Sequence, residues 1–279
     1  MTWYHPQVIS LLSPDLQHVC NGGGTMQILL CNDDGITAPG IIALAVALSE
    51  LGQVTVVAPD VERSAASNSI TLSQPLRVKE VKFPAPVAKA FAVSGTPADC
   101  AKIALANLLG FRPDVVVSGI NRGPNLCVDI FYSGTVAAAF EGAFKGIPSF
   151  AVSLDSYNAD ADYSVAAEWG ARCVSQFIAA GAPPARVYNI NVPALPSEKI
   201  AGMRLTRAGK VDYREVYDHR LDPNGRSYYW IQGWPEIGDT NPDCDIVAVR
   251  DGFVSVTPLQ PDLTDFSAIN ELKKLLALS

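Results

Sequence analysis

The chain has 279 residues, of which 48% are hydrophobic and 18% charged, enough apolar material for one large core or two small ones. Its 21 Lys and Arg against 28 Asp and Glu leave a formal charge of -7, which excludes duplex nucleic acid as a default partner. Only three histidines occur, and six scattered cysteines form no C-x-x-C pair, which argues against a His- or Cys-built zinc site and against a disulfide framework.

Residues 1–25 carry no regular pattern. Pro6, Pro14 and Gly22-Gly23-Gly24 interrupt any period, so the segment reads as a loose tail. Three glycine codons in a row just before Met26 resemble a translated ribosome-binding site, and the expectation is that the tail is not native. It contains no Lys or Arg, and its apolar stretch is too short for a signal core. The longest clean apolar run, Ile41 to Leu48, is far below a membrane span. A cytoplasmic protein with no membrane partner is expected.

Pattern begins at Met26. Gln27 to Cys31 is a short buried strand, followed by the turn residues Asn32-Asp33-Asp34-Gly35. Ile41, Leu44, Ala45, Leu48 and Leu51 recur at helical spacing, Gly52 stops that helix, and Val54 to Ala58 is a second strand. Further on, Pro97–Leu109, Thr135–Lys145 and Tyr163–Ala180 read as helices. They alternate with strands at Val115–Ser118, Ser149–Leu154 and Val187–Val192. Such alternation predicts an α/β fold, a Rossmann-like doubly wound and mostly parallel sheet, with 26–200 as the catalytic core. From Met203 to Gly233 the chain turns polar and aromatic around Asp222-Pro223-Asn224-Gly225. That predicts a β-hairpin arm within 201–240, rich in Tyr and Trp and suited to a partner chain or to folding back on its own domain. Residues 241–279 return to the core and close on a helix from Ser267 to Leu278.

In open α/β sheets, ligands bind beyond the carboxyl ends of the strands. Three such ends present carboxylate, hydroxyl and amide oxygens with no His or Cys ligand pattern: Asn32 to Gly35; Asp60, Arg63, Ser64, Ser67 and Asn68; then Asn121, Arg122, Asn125, Asp129 and Ser133 to Thr135. Oxygen ligands without His or Cys suit a hard divalent cation such as Mg²⁺ or Mn²⁺. Adjacent carboxylates at Asp33 and Asp34 would be kept ionised by such an ion, although a solvated turn with one Asp capping the helix accounts for the same residues. Ser133-Gly134-Thr135 ahead of an Ala-rich helix offers an anion site or a plain N-cap. Arg63 and Arg122 could add charge to a phosphate or pair with Asp60 and Asp129. Thr96-Pro97 reads as a cap and first turn, and Cys31, Cys100 and Cys173 as core. There is no P-loop, no nucleophile elbow and no dinucleotide fingerprint.

Five ordered blocks together resemble the SurE survival-protein family of 5′/3′-nucleotidases. They are Ile28–Ile41 (ILLCNDDGITAPGI), Val57–Thr71 (VAPDVERSAASNSIT), Val93–Cys100 (VSGTPADC), Pro113–Asn125 (PDVVVSGINRGPN) and Tyr132–Val136 (YSGTV), with Ser255–Leu259 and Asp262–Thr264 further on. The resemblance implies one divalent metal per subunit, held by Asp33, Asp34, Ser64 and Asn121, with Mg or Mn as the ion. It implies hydrolysis of nucleoside 5′- or 3′-monophosphates, with some members also trimming short polyphosphate, and a homodimer or homotetramer built through the arm. On this reading Asp33 or Asp34 orients the attacking water, while Asn121, Ser133, Gly134 and Thr135 hold the phosphate. Cys127 departs from the family, which usually has Gly there. If the position needs a positive φ, Cys costs energy and shifts the loop carrying Asp129 and Ser133. The rival readings are a non-catalytic nucleotide-binding module and a haloacid-dehalogenase-type phosphatase with a covalent aspartyl-phosphate. The D-x-D spacing of the latter is missing from Asp33-Asp34-Gly35.

Overall fold

A computed structural model describes residues 25–276, so the expectation about the tail lies outside the described residues. The predicted alternation folds as β1 (Met26–Cys31), α1 (Pro39–Ser49), β2 (Gly52–Pro59), β3 (Val78–Glu80), β4 (Lys89–Val93) and α2 (Pro97–Ile103). It continues as β5 (Val115–Arg122), α3 (Gly134–Phe144), β6 (Ser149–Asp155), α4 (Ser164–Ala179), β7 (Val187–Pro193) and β8 (Gly202–Leu205). The chain ends with the hairpin strands β9 (Val211–Leu221) and β10 (Ser227–Ile237), then α5 (Asp245–Arg250), β11 (Phe253–Leu259) and α6 (Phe266–Leu275).

Nine strands form one sheet in the order β3-β4-β2-β1-β5-β6-β7-β11-β8. The six strands from β4 to β7 in that order pair in parallel, and β11 runs antiparallel to β7. Continuous Val, Ile and Leu runs explain this, because a parallel strand is covered on both faces. Ile28, Leu30, Val54, Val56, Val117 and Val152 face one core with α1 and α4. Leu29, Cys31, Val57, Val116 and Ala138 face the other with α2 and α3. No described helix is long and apolar enough to cross a membrane.

Three expectations are corrected. Gly52 does not stop α1, which ends at Ser49. It opens β2 instead, where its bare backbone lies against the Met26 carbonyl and leaves no room for a Cβ. β5 does not end at Ser118 but runs to Arg122, because β6 pairs with it as far as Leu154 through a bulge between Gly119 and Asn121. The hairpin takes up only Val211 to Ile237 of the arm expected within 201–240. Met203 belongs to β8, which pairs in parallel with Phe253–Val256 of β11. The Asp222-Pro-Asn-Gly turn is formed as expected, with Asp222 Oδ1 accepting the N–H groups of Asn224 and Arg226.

Chain order places the candidate site. Coming from β1 the chain moves to β2 on one side, and later to β5 on the other. The carboxyl ends of β1 and β5 therefore flank a topological switch point, where α/β sheets open a crevice for ligands.

Candidate active site at the sheet switch point

Asp33 and Asp34 leave the end of β1 into that crevice. Asn32 shapes the turn, its Nδ2 donating to the Gly35 carbonyl at 2.9 Å. Asp33 is buried, with 4% of its surface exposed. Thr135 holds both of its oxygens: the hydroxyl donates to Oδ1 at 2.5 Å and the N–H donates to Oδ2 at 3.1 Å. Gly134 lets α3 start this close, since a Cβ there would stand 3.0 Å from the Asp33 Cβ. Asp34 Oδ2 accepts the Arg122 N–H at 3.0 Å, which brings the end of β5, and with it Asn121, beside the two carboxylates.

The loop after β2 closes the third side. Arg63 N–H donates to the Asp33 carbonyl at 2.8 Å, so Ser64 follows directly on a backbone tie to Asp33. Ser64 itself is exposed, and its hydroxyl donates to Glu62 Oε1 at 2.7 Å. Two residues of this loop, Ala65 and Ser67, have φ of 54° and 50°, a conformation that costs a side-chain-bearing residue energy. Ser67 is fastened by its N–H to the Tyr132 carbonyl and by its hydroxyl to the Phe131 carbonyl. Thr71 anchors the far end of the loop, donating through its N–H and hydroxyl to Asp99. Burial would raise the Asp99 carboxyl, but the Thr71 and Thr96 donors outweigh it and hold the group below its ordinary range.

The electrostatics favour a cation. Burial pushes the Asp33 carboxyl up to about 6. The Thr135 donors oppose that rise and the Asp34 charge adds to it. Asp34 is also raised by burial, against the Arg122 N–H and guanidinium, with Glu62 adding to the rise. Among the described residues no ion pair reaches Asp33, and no three His, Cys, Asp or Glu side chains converge. The Asn32 Oδ1 is buried without a partner. Two adjacent carboxylates beside amide and hydroxyl oxygens are a donor set that suits one hard divalent ion. For Asp33 the capping alternative fails directly, because α1 starts at Pro39 with Ala38 as a cap that has no side-chain bond.

The expected site residues are brought together unevenly. Asp33, Asp34 and the Asn121 strand end meet. Ser64 stands at the rim beside Glu62, which pairs with Arg122 at 3.4 Å and which the pattern of strand ends passed over. Ser133 caps α3, its Oγ accepting the Val136 N–H at 3.1 Å. Thr135 spends both donors on Asp33 rather than leaving them for an anion. Arg63 pairs with Asp60 at 4.0 Å, and Arg122 with Glu62 at 3.4 Å. Asn121 Nδ2 donates to the Gly123 carbonyl at 2.7 Å.

Behind the site lies a buried polar clamp that no local pattern reveals. Asn125 donates its N–H to Asn191 Oδ1 at 2.7 Å, and its carbonyl accepts from Asn189 and Asn191. Its side chain donates to Ser153 Oγ at 2.8 Å. Cys127 has a φ of 53°, so the position does need the left-handed conformation that glycine adopts freely.

Known proteins resemble this chain in sequence and in fold. A family model described as "Survival protein SurE" matches residues 28–215. A protein of Heliobacterium modesticaldum named "5'-nucleotidase SurE" is 49% identical over 251 residues, covering 90% of this chain and 92% of the relative. One of the same name from Moorella thermoacetica is 48% identical over 252 residues, covering 90% and 96%. Among solved structures, the SurE protein from Aquifex aeolicus superposes with a TM-score of 0.78 at 38% identity, covering 90% of this chain and 99% of that one.

Proposed function

The chain belongs to the SurE survival-protein family, and on that basis we propose that it is a nucleotidase, a phosphoric monoester hydrolase releasing phosphate from nucleoside monophosphates. The observation that carries the reading is the buried Asp33 beside Asp34 at the switch point, among amide and hydroxyl oxygens. We infer one divalent ion per subunit, Mg²⁺ or Mn²⁺, held by Asp33, Asp34, Ser64 and Asn121. When bound, it would supply positive charge to the phosphoryl oxygens and acidify the attacking water. The chain's own residues do the positioning. Asp34 or Asp33 accepts a hydrogen bond from the attacking water, while the Asn121 amide and the Gly134 N–H at the positive end of α3 face the phosphoryl oxygens. Relatives named as 5′-nucleotidases favour the 5′ position and an enzyme over a binding module.

The test is phosphate release from AMP and GMP. Activity should vanish with EDTA and return with Mg²⁺ or Mn²⁺. Nucleotide-dependent thermal protection without phosphate release would mean a binding module instead.

We also infer a homodimer or homotetramer. Among the described residues the hairpin strands β9 and β10 pair with each other alone, and they expose Tyr217, Tyr229, Trp230 and Ile231. A lone two-stranded hairpin is marginal in water, so covered aromatic surface would stabilise it. Helix α6 has no buried residue and exposes Phe266, Leu272 and Leu275. Light scattering at micromolar concentration should give a multiple of the subunit mass, and a monomer there would refute the inference.

A further inference from the structure

We infer that Asp245 is a positioning residue for the active site, acting through the strained turn at Cys127. Asp245 is the first residue of α5 and is fully buried. Its Oδ2 accepts the Cys127 N–H at 2.8 Å, and its Oδ1 accepts the Cys127 thiol at 3.3 Å. The same Oδ1 accepts the N–H groups of Gly209 at 2.9 Å and Ile246 at 2.8 Å. One carboxylate thus joins the base of the hairpin arm to the loop between β5 and α3.

Three observations make this more than a structural contact. Cys127 holds a left-handed backbone that a Cβ disfavours, so something must pin it, and Asp245 grips both its N–H and its thiol. Cys127 opens a 3₁₀ turn through Phe131, and the Phe131 and Tyr132 carbonyls are the acceptors that fasten Ser67. Ser67 in turn stabilises the strained loop that carries Ser64. The same segment ends at Ser133 and Gly134, where α3 meets Asp33. The path from Asp245 therefore reaches two sides of the crevice through hydrogen bonds and backbone alone. Gly209 is left bare by this packing: a Cβ there would collide with the Cys244 sulfur and stand 2.9 Å from that of Cys127.

The functional part of this inference rests on the nucleotidase reading, so its test carries one readout that does not. In Asp245→Asn the amide oxygen stays with the two N–H donors of Gly209 and Ile246, so the NH₂ is turned against the Cys127 N–H and releases it. The expected result is a roughly tenfold fall in kcat/KM for AMP with Mn²⁺, and faster amide hydrogen exchange across residues 126–132. Glycine at 127 holds the left-handed turn without being pinned. The double variant Cys127→Gly/Asp245→Asn should therefore come within about threefold of Cys127→Gly alone, in rate and in exchange, which a general loss of stability would not produce. An Asp245→Asn protein with wild-type kinetics and exchange would overturn the inference, as would a double variant as impaired as Asp245→Asn. Should Asp245→Asn not fold, Cys127→Ala keeps the strain and removes the thiol bond. It should speed exchange in the same segment, and unchanged exchange would overturn the proposal whether or not AMP is hydrolysed.

Discussion

Asp34→Asn should lower kcat/KM for nucleoside monophosphates by about a thousandfold while leaving the fold intact. The substitution keeps the shape and keeps an amide oxygen to accept the Arg122 N–H, which Asp34 Oδ2 now receives at 3.0 Å. What it removes is one of the two negative charges at the switch point. A ligated divalent ion is worth several kcal/mol of charge stabilisation in a phosphoryl-transfer transition state, and about 4 kcal/mol corresponds to a factor near 10³. In the metal-free protein the change removes one of two like charges held side by side, so thermal stability should not fall. Kinetics with saturating Mn²⁺ and melting curves with EDTA, run on the same preparation, separate the two effects. Full activity in this variant would remove the two-carboxylate site from consideration.

The sequence makes the sheet readable because parallel strands buried on both faces are short apolar runs that need little else for their identification. Leu29, Leu30, Val56, Val116 and Ile190 announce β1, β2, β5 and β7 in this way. The strands that escape are those whose identity is set by distant partners. β4 from Lys89 to Val93 is only five residues long and follows Pro84 and Pro86, and it pairs with β2 more than thirty positions away. Met203 lies next to an aromatic hairpin in sequence but is claimed by Val254 of β11. The ends of β1 and β5 stand out in the sequence for a chemical reason, since adjacent acids and amides beyond buried strands offer a cluster of oxygens. The clamp on the loop after β5 is not legible. Asn189, Asn191 and Asp245 act on backbone 64 to 118 residues away, and their types carry no local signal. Cys127 is intermediate: its residue type says nothing, but the family pattern marks the position as one that favours glycine, and its φ of 53° agrees.

Thr135→Val separates two roles that the sequence leaves open. A phosphate-binding Thr135 would contribute to substrate affinity. The structure instead aims its hydroxyl at Asp33 Oδ1 at 2.5 Å and its N–H at Oδ2. Valine matches threonine in shape, and the backbone N–H stays in place, so the change removes one hydrogen bond from a buried carboxylate. That bond fixes the direction in which Asp33 presents its remaining lone pairs and helps keep the group ionised. Groups that hold a metal ligand from behind are typically worth 10- to 100-fold in metal affinity or activity. The expected result is a rise of that size in the Mn²⁺ concentration giving half-maximal activity. The KM for AMP at saturating metal should change less than threefold. The opposite pattern, an unchanged metal dependence with a raised KM, would return Thr135 to the phosphate. It would also mean that the helix start opens toward substrate in a way that its hydrogen bonds to Asp33 now prevent.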